Sequence, residues 1–470
     1  MAGIRGVALI SGGTVAGQAL VLLSIPLLAR LYSPQDMGLL SVFVSIVGML
    51  SVTAALHYEL AIPLPNSARA ASALSTLALM VVLVTSLAVG LVLSIGRGAV
   101  LDWFGAAELR STRYLIPVSV LLTGVINVLT LTAVRYQHSG RNAASKAAQG
   151  GAQALVQSGA GLAGAGWTGL ILGQFAGLAA GILPLLIKPV WFDASSARRS
   201  WVRRMQACAH RYRNFPLLAA PSSLVNAVAS NIPALLLSGL FGLKVAGLYG
   251  IGVRVLQLPV RLVGQAVSQV FLGQAAKARQ SGELADIVDP VYRFLLRASL
   301  YIFVPIAVLA RPGFVLLFGQ KWAEAGNYVQ YLVPWMIVSF VSMPLSMLVA
   351  VLQKQRQELI FQCAYLALIA LAIWEGASIG SASIAVALFG SCGAVLLVGK
   401  LWWLLGIAGC DRARLVAVTG KELLLALLAG APLMMLRLLE PSILLVCAIG
   451  GAWMVAIHWF NYRFRGVYAF

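Results

Sequence analysis

SALSTLALMVVLVTSLAVGLVLSI, from Ser72 to Ile95, runs for 24 residues without one charged side chain. Coiled as an α-helix it is about 36 Å long, enough to cross the hydrocarbon of a bilayer. Comparable runs recur along the chain. We read fourteen spans, at 7–31, 38–62, 72–95, 113–134, 146–165, 167–188, 215–240, 247–274, 296–318, 327–352, 358–378, 382–404, 419–437 and 441–461. The fifth is rich in Gly, Ala and Gln and needs its neighbours to insert, so counts of twelve or thirteen stay open. Arg5 followed by an apolar run has the form of a signal peptide, but the run continues to Leu31 and reads as a retained first helix.

Composition agrees. Of 470 residues, 60% are hydrophobic and only 10% charged, against about 25% charged in a soluble domain. That is too little charge to cover a soluble chain of this length, and a soluble enzyme is excluded. The five cysteines form no C-x-x-C pair and the four histidines have no ligand spacing, so neither a disulfide framework nor a metal site is expected. Gly164 to Gly169 matches a dinucleotide fingerprint by letter alone, with no strand before it. Gly393 to Lys400 misses a phosphate loop by one residue between its glycines. No catalytic residue and no cofactor is expected.

The net charge is +20. With the N-terminus in the cytoplasm, inside segments hold 24 of the 34 Lys and Arg and outside loops hold five. This asymmetry obeys the positive-inside rule and places both termini in the cytoplasm. The cations then meet anionic lipid, not nucleic acid. The longest polar stretch, 189–214, reads as a basic linker helix lying on headgroups.

The two halves repeat. Pro26, Gly38, Phe104-Gly105 and Pro117 return in the same order as Pro233, Gly247, Phe318-Gly319 and Pro334. Six helices per half give both halves one orientation. The architecture expected is therefore all-α, with about fourteen transmembrane helices. Two pseudo-symmetric six-helix bundles (1–190 and 215–405) surround a central cavity, joined by the basic linker 191–214. Residues 406–470 add two further helices.

Charges inside spans mark function, because hydrocarbon penalises them. Arg254 and Arg261, seven apart in the eighth span, share a helix face two turns apart. Arg30 ends the first span. Glu59 lies near the inner end of the second, beside His57. Two readings stay open: a structural lock between Glu59 and an arginine, or a cationic cavity for an anionic head group. Gly169, Gly173, Gly177 and Gly181 line one helix face and permit close packing. Lys321 and Glu324 read as solvated, and Trp322 as an interfacial anchor.

Several segments resemble one family as an ordered set. They are Leu31-Tyr32-Ser33-Pro34-Gln35-Asp36-Met37-Gly38, His57-Tyr58-Glu59-Leu60-Ala61-Ile62-Pro63, Tyr249 to Pro259, and Leu317-Phe318-Gly319-Gln320-Lys321-Trp322. The chain resembles the Wzx-type O-antigen and exopolysaccharide flippases of the multidrug/oligosaccharidyl-lipid/polysaccharide superfamily over about residues 5–405. Relatives often carry Arg where His57 stands. The resemblance implies a bacterial inner-membrane protein of polysaccharide and lipopolysaccharide synthesis. It would move undecaprenyl-diphosphate-linked oligosaccharide to the periplasmic leaflet by alternating access, beside a polymerase and chain-length proteins. The coupling would be to H+ or Na+, with Glu59 and His57 as coupling candidates and Arg30, Arg254 and Arg261 as substrate-binding candidates. A multidrug antiporter, a lipid II flippase, or a membrane glycosyltransferase or polymerase are the alternatives.

Overall fold

The computed structural model describes residues 17, 20, 21, 23–96, 98–186 and 198–438. Among them every regular element is helical, and ten helices are long and apolar enough to cross a membrane. Their outer faces carry large apolar side chains that only lipid can cover: on one helix Val84, Leu87, Leu91 and Ile95 are all more than 60% exposed. The chain is a multi-pass membrane protein. Much of the expected first span, the fourteenth, and residues 187–197, which include the start of the linker, lie outside the described residues. The chain divides into two compact units, residues 1–247 and 248–470, the boundary running through one helix.

The first unit opens with α1 (23–31) and α2 (Pro34–Val52). Pro34 suits the first helical position, and Ser33 caps the helix. Its hydroxyl accepts from the Asp36 amide at 3.1 Å while the Asp36 carboxylate accepts from the Ser33 amide at 2.9 Å. Next come α3 (Ala68–Ile95), α4 (Leu115–Arg135), α5 (Ser139–Leu162) and α6 (Gly166–Leu186). Phe43 of α2, Leu74 and Val82 of α3, and Val120 of α4 share one buried core.

The polar α5 is held by α6. Ser145 Oγ donates to the Gly181 carbonyl at 2.5 Å, and Gln157 Nε2 to the Leu170 carbonyl at 2.9 Å. The glycine stripe makes room for this. A Cβ on Gly173 would collide with the Gln157 side chain, and one on Gly177 would stand 2.8 Å from the Gln149 carbonyl. The stripe is a packing surface, as its spacing predicts.

The linker forms α7 (Arg198–Arg211), which buries Met205 and Cys208 in the core of the unit. Then follow α8 (Ala220–Phe241) and the start of α9 (Leu243–Pro259). Gly38 and Gly247, predicted as repeat counterparts, pack reciprocally where α2 meets the first turn of α9. A Cβ on Gly38 would strike the Leu243 carbonyl, and a Cβ on Gly247 the Pro34 carbonyl. Gly105 and Gly319, a second predicted pair, both turn the chain with positive φ, +66° and +97°.

In the second unit α9 gives way at Pro259 to a π-helical turn, Val260–Gly264, and continues as α10 (Gln265–Ser281). The expected span at 247–274 is thus broken. The proline ring cannot keep the i→i−4 ladder. The ninth span proves to be the end of a 35-residue helix, α11 (Leu284–Phe318). Its first turns are polar and stitched by Arg293 and Asp289, one helical turn apart at 2.6 Å. Then come α12 (Ala323–Leu345), α13 (Gln355–Ser378), α14 (Ala382–Ile407) and α15 (Arg412–Leu438). Trp322, read as an interfacial anchor, is wholly buried at 0% exposure. It precedes α12 directly and closes the α11–α12 turn from within.

Candidate functional site

The second span does not continue to residue 62. Helix α2 ends at Val52, and a 3-10 turn, Tyr58–Ala61, follows. Between them Leu56 and His57 adopt left-handed backbone, φ +48° and +61°. Non-glycine residues held there cost about 1–3 kcal/mol each and persist only where the surroundings impose them. Three helices do so. Thr85 Oγ1 of α3 donates to the Ala54 carbonyl at 2.7 Å. Arg135 of α4 donates to the carbonyls of Ile62 and Pro63 at 3.3 and 3.1 Å. The Tyr58 hydroxyl donates to the Ala209 carbonyl of α7 at 3.4 Å.

This irregular segment carries His57 and Glu59, both buried, with His57 Nδ1 3.2 Å from Glu59 Oε1. The other two polar atoms of the pair, His57 Nε2 and Glu59 Oε2, are buried without a hydrogen-bond partner among the described residues. A buried carboxyl oxygen needs a proton, a cation or a donor. The pair can therefore take up one positive charge, which is the chemistry a coupling site requires.

Arg30 belongs to the last turn of α1 and is exposed. Arg254 and Arg261 belong to the second unit. Arg254 is half-buried in α9, whereas Arg261 is exposed in the π turn, its Nη2 donating to Gln257 Oε1 at 2.7 Å. The sequence places them on one continuous α-helix; the π-helical turn Val260–Gly264, in which Arg261 stands, interrupts the α-helical pattern between them.

Two ion pairs escaped the sequence reading. Lys400 Nζ of α14 lies 2.6 Å from Glu358 Oε1 of α13, and Arg297 Nε of α11 lies 2.8 Å from Glu422 Oε1 of α15. Glu422 is only 3% exposed and stands inside an apolar helix, a signal the sequence did contain.

Residues 27–327 match the family described as polysaccharide biosynthesis protein. The chain belongs to that family. No curated protein matches it in sequence. Among solved structures it shares the fold of a lipid II flippase, MurJ, in an inward closed conformation. The TM-score is 0.68 at 12% identity, covering 97% of this chain and 99% of that one. It is also similar to an inward-facing multidrug resistance MATE family transporter of the MOP superfamily, with TM-score 0.65, 14% identity, and coverage of 86% and 96%. A third, a MOP superfamily transporter from Pyrococcus furiosus, has TM-score 0.56, 13% identity, and coverage of 88% and 96%.

Proposed function

We propose that the protein is a flippase for undecaprenyl-diphosphate-linked oligosaccharide units of O-antigen or exopolysaccharide. It works in the bacterial inner membrane with both termini in the cytoplasm, and moves its cargo to the periplasmic leaflet by alternating access. The observation that carries this reading is a polysaccharide-biosynthesis sequence on a fold shared with a lipid II flippase and with efflux transporters. A polysaccharide pathway needs its lipid-linked unit moved across the membrane, and this fold is one that moves molecules.

Each candidate residue takes a role under this reading. Arg30, Arg254 and Arg261 meet the diphosphate, for which the planar guanidinium fork is suited. His57 and Glu59 accept H+ or Na+ from the gradient. Anionic lipids surround the basic loops, and a polymerase and chain-length proteins receive the product.

The lipid II flippase match covers 97% of this chain, whereas the multidrug resistance transporter match covers 86%. That coverage favours lipid II over a cationic drug as the second reading. Lipid analysis of a deletion strain separates the three. Cytoplasmic build-up of a complete glycan unit on undecaprenyl diphosphate, with loss of surface polymer and rescue by a plasmid copy, supports the proposal. Build-up of lipid II supports the second reading. Unchanged lipids with altered drug tolerance would overturn both.

A further inference from the structure

A cavity of about 650 Å³ opens in the first unit where the linker helix crosses the beginning of α3. Arg204, Ala207, Cys208 and Arg211 form one wall, and their spacing puts them on a single face of α7. The opposite wall is the turn Leu64 to Ser67 and the first turn of α3, including Arg69. Three of its eleven lining residues are arginines and none is acidic.

Arg204 Nη1 is wholly buried and has no acceptor among the described residues. A guanidinium does not shed its charge, so Arg204 stays cationic at the cavity wall. The first turn of α3 adds the positive end of a 28-residue helix. Asn66 and Ser67 add neutral polar groups.

The α7 wall is anchored in the core of the unit. Cys208 packs into the core and its thiol faces the Ala70 carbonyl at 3.7 Å, pinning α7 against α3. The cavity lies where the apolar run of α3 begins, beside an amphipathic helix. That is where lipid phosphates stand.

We propose that this cavity binds a phosphate-bearing headgroup at the membrane boundary and that Arg204 and Arg211 grip its oxygens. His57, Glu59, Arg254 and Arg261 are not among the residues that line it. It stands whether or not the protein moves a glycolipid.

The test uses the full-length protein purified in neutral detergent. Native mass spectrometry follows retention of added phosphatidylglycerol and phosphatidylcholine, and thermal unfolding follows protection by inorganic diphosphate. Arg204→Gln and Arg211→Gln should each weaken phosphatidylglycerol binding about tenfold. Arg204→Lys should recover part of the loss, and Arg213→Gln, outside the cavity, should change nothing. Protection by diphosphate equal to that by the lipid, lost in the same variants, keeps the phosphate site but assigns it to a soluble ligand. Equal retention of both lipids, unchanged in the variants, would overturn the proposal. If Arg204→Gln does not fold, Arg211→Gln decides the question alone.

Discussion

His57 Nδ1 stands 3.2 Å from Glu59 Oε1 at the start of the 3-10 turn that His57 caps. Their contact depends on left-handed backbone at His57, two positions before the carboxylate. Irregular backbone at membrane depth survives only where protein or a wet cavity satisfies it. Here Thr85 and Arg135 bond the carbonyls of Ala54, Ile62 and Pro63.

Glu59→Gln keeps the size of the side chain and removes its ability to hold a charge. Export of surface polymer should fall to background while the protein level in the membrane stays normal. Immunoblotting of membranes beside a surface-polymer assay measures both. Normal export by the variant would remove Glu59 from the coupling step.

Gly173→Leu places a side chain where Gln157 of α5 already lies. We expect a loss of about 1–3 kcal/mol from overpacking, seen as a lower unfolding temperature in detergent. Gly399→Leu on α14, where a Cβ meets nothing within 4 Å, is the control and should leave that temperature unchanged.

The Arg297–Glu422 pair should respond asymmetrically. Glu422 is 3% exposed at its side chain and Arg297 29%. Arg297→Ala takes the guanidinium away from a buried carboxylate and should cost about 3 kcal/mol, and Glu422→Ala should cost less because the arginine can reach water. The double variant should be no worse than Arg297→Ala. Equal losses that add would show that the pair is not coupled.

Cys410, in the turn between α14 and α15, titrates high. Burial first, then the charges of Asp289 and Asp286, push its thiol up to about 11. Only the thiolate is alkylated, so a variant keeping Cys410 as its single cysteine should react slowly at neutral pH. The rate should climb about tenfold per pH unit toward pH 11, where an ordinary thiol levels off near 8.5. Asp289→Asn removes a negative charge that disfavours the thiolate, and the rate at pH 8 should rise. An unchanged rate would show that Asp289 does not act on this thiol.

Apolar length made most spans legible, and small residues at fixed spacing foretold the α5–α6 packing. The break after Val52 was not legible, because residues 53–63, apart from Thr53, His57 and Glu59, are apolar or aromatic and contain no glycine. Left-handed backbone there is imposed by α3, α4 and α7, which the local sequence does not record. The break at Pro259 was hidden differently: proline marks a bend, but only packing selects a π turn. Neighbours in sequence, His57 and Glu59, were easily suspected. The cavity of Arg69, Arg204 and Arg211 joins segments more than 130 residues apart and leaves no local trace. Glu358 and Lys400, 42 residues apart on different helices, leave no local trace either.

Helix α5 bears on how the protein is made. With Ser145, Gln149, Gln153 and Gln157 along its length, it cannot enter lipid on its own, and the acceptors of Ser145 and Gln157 belong to α6, which is synthesised later. Only the short turn 163–165 separates the two helices. During synthesis the ribosome must therefore deliver both before either settles, and the pair partitions into the bilayer as one hairpin. A bulky residue in the glycine stripe of α6 would then act at birth: the nascent chain would stall outside the lipid and meet the quality-control proteases before any cargo could reach it.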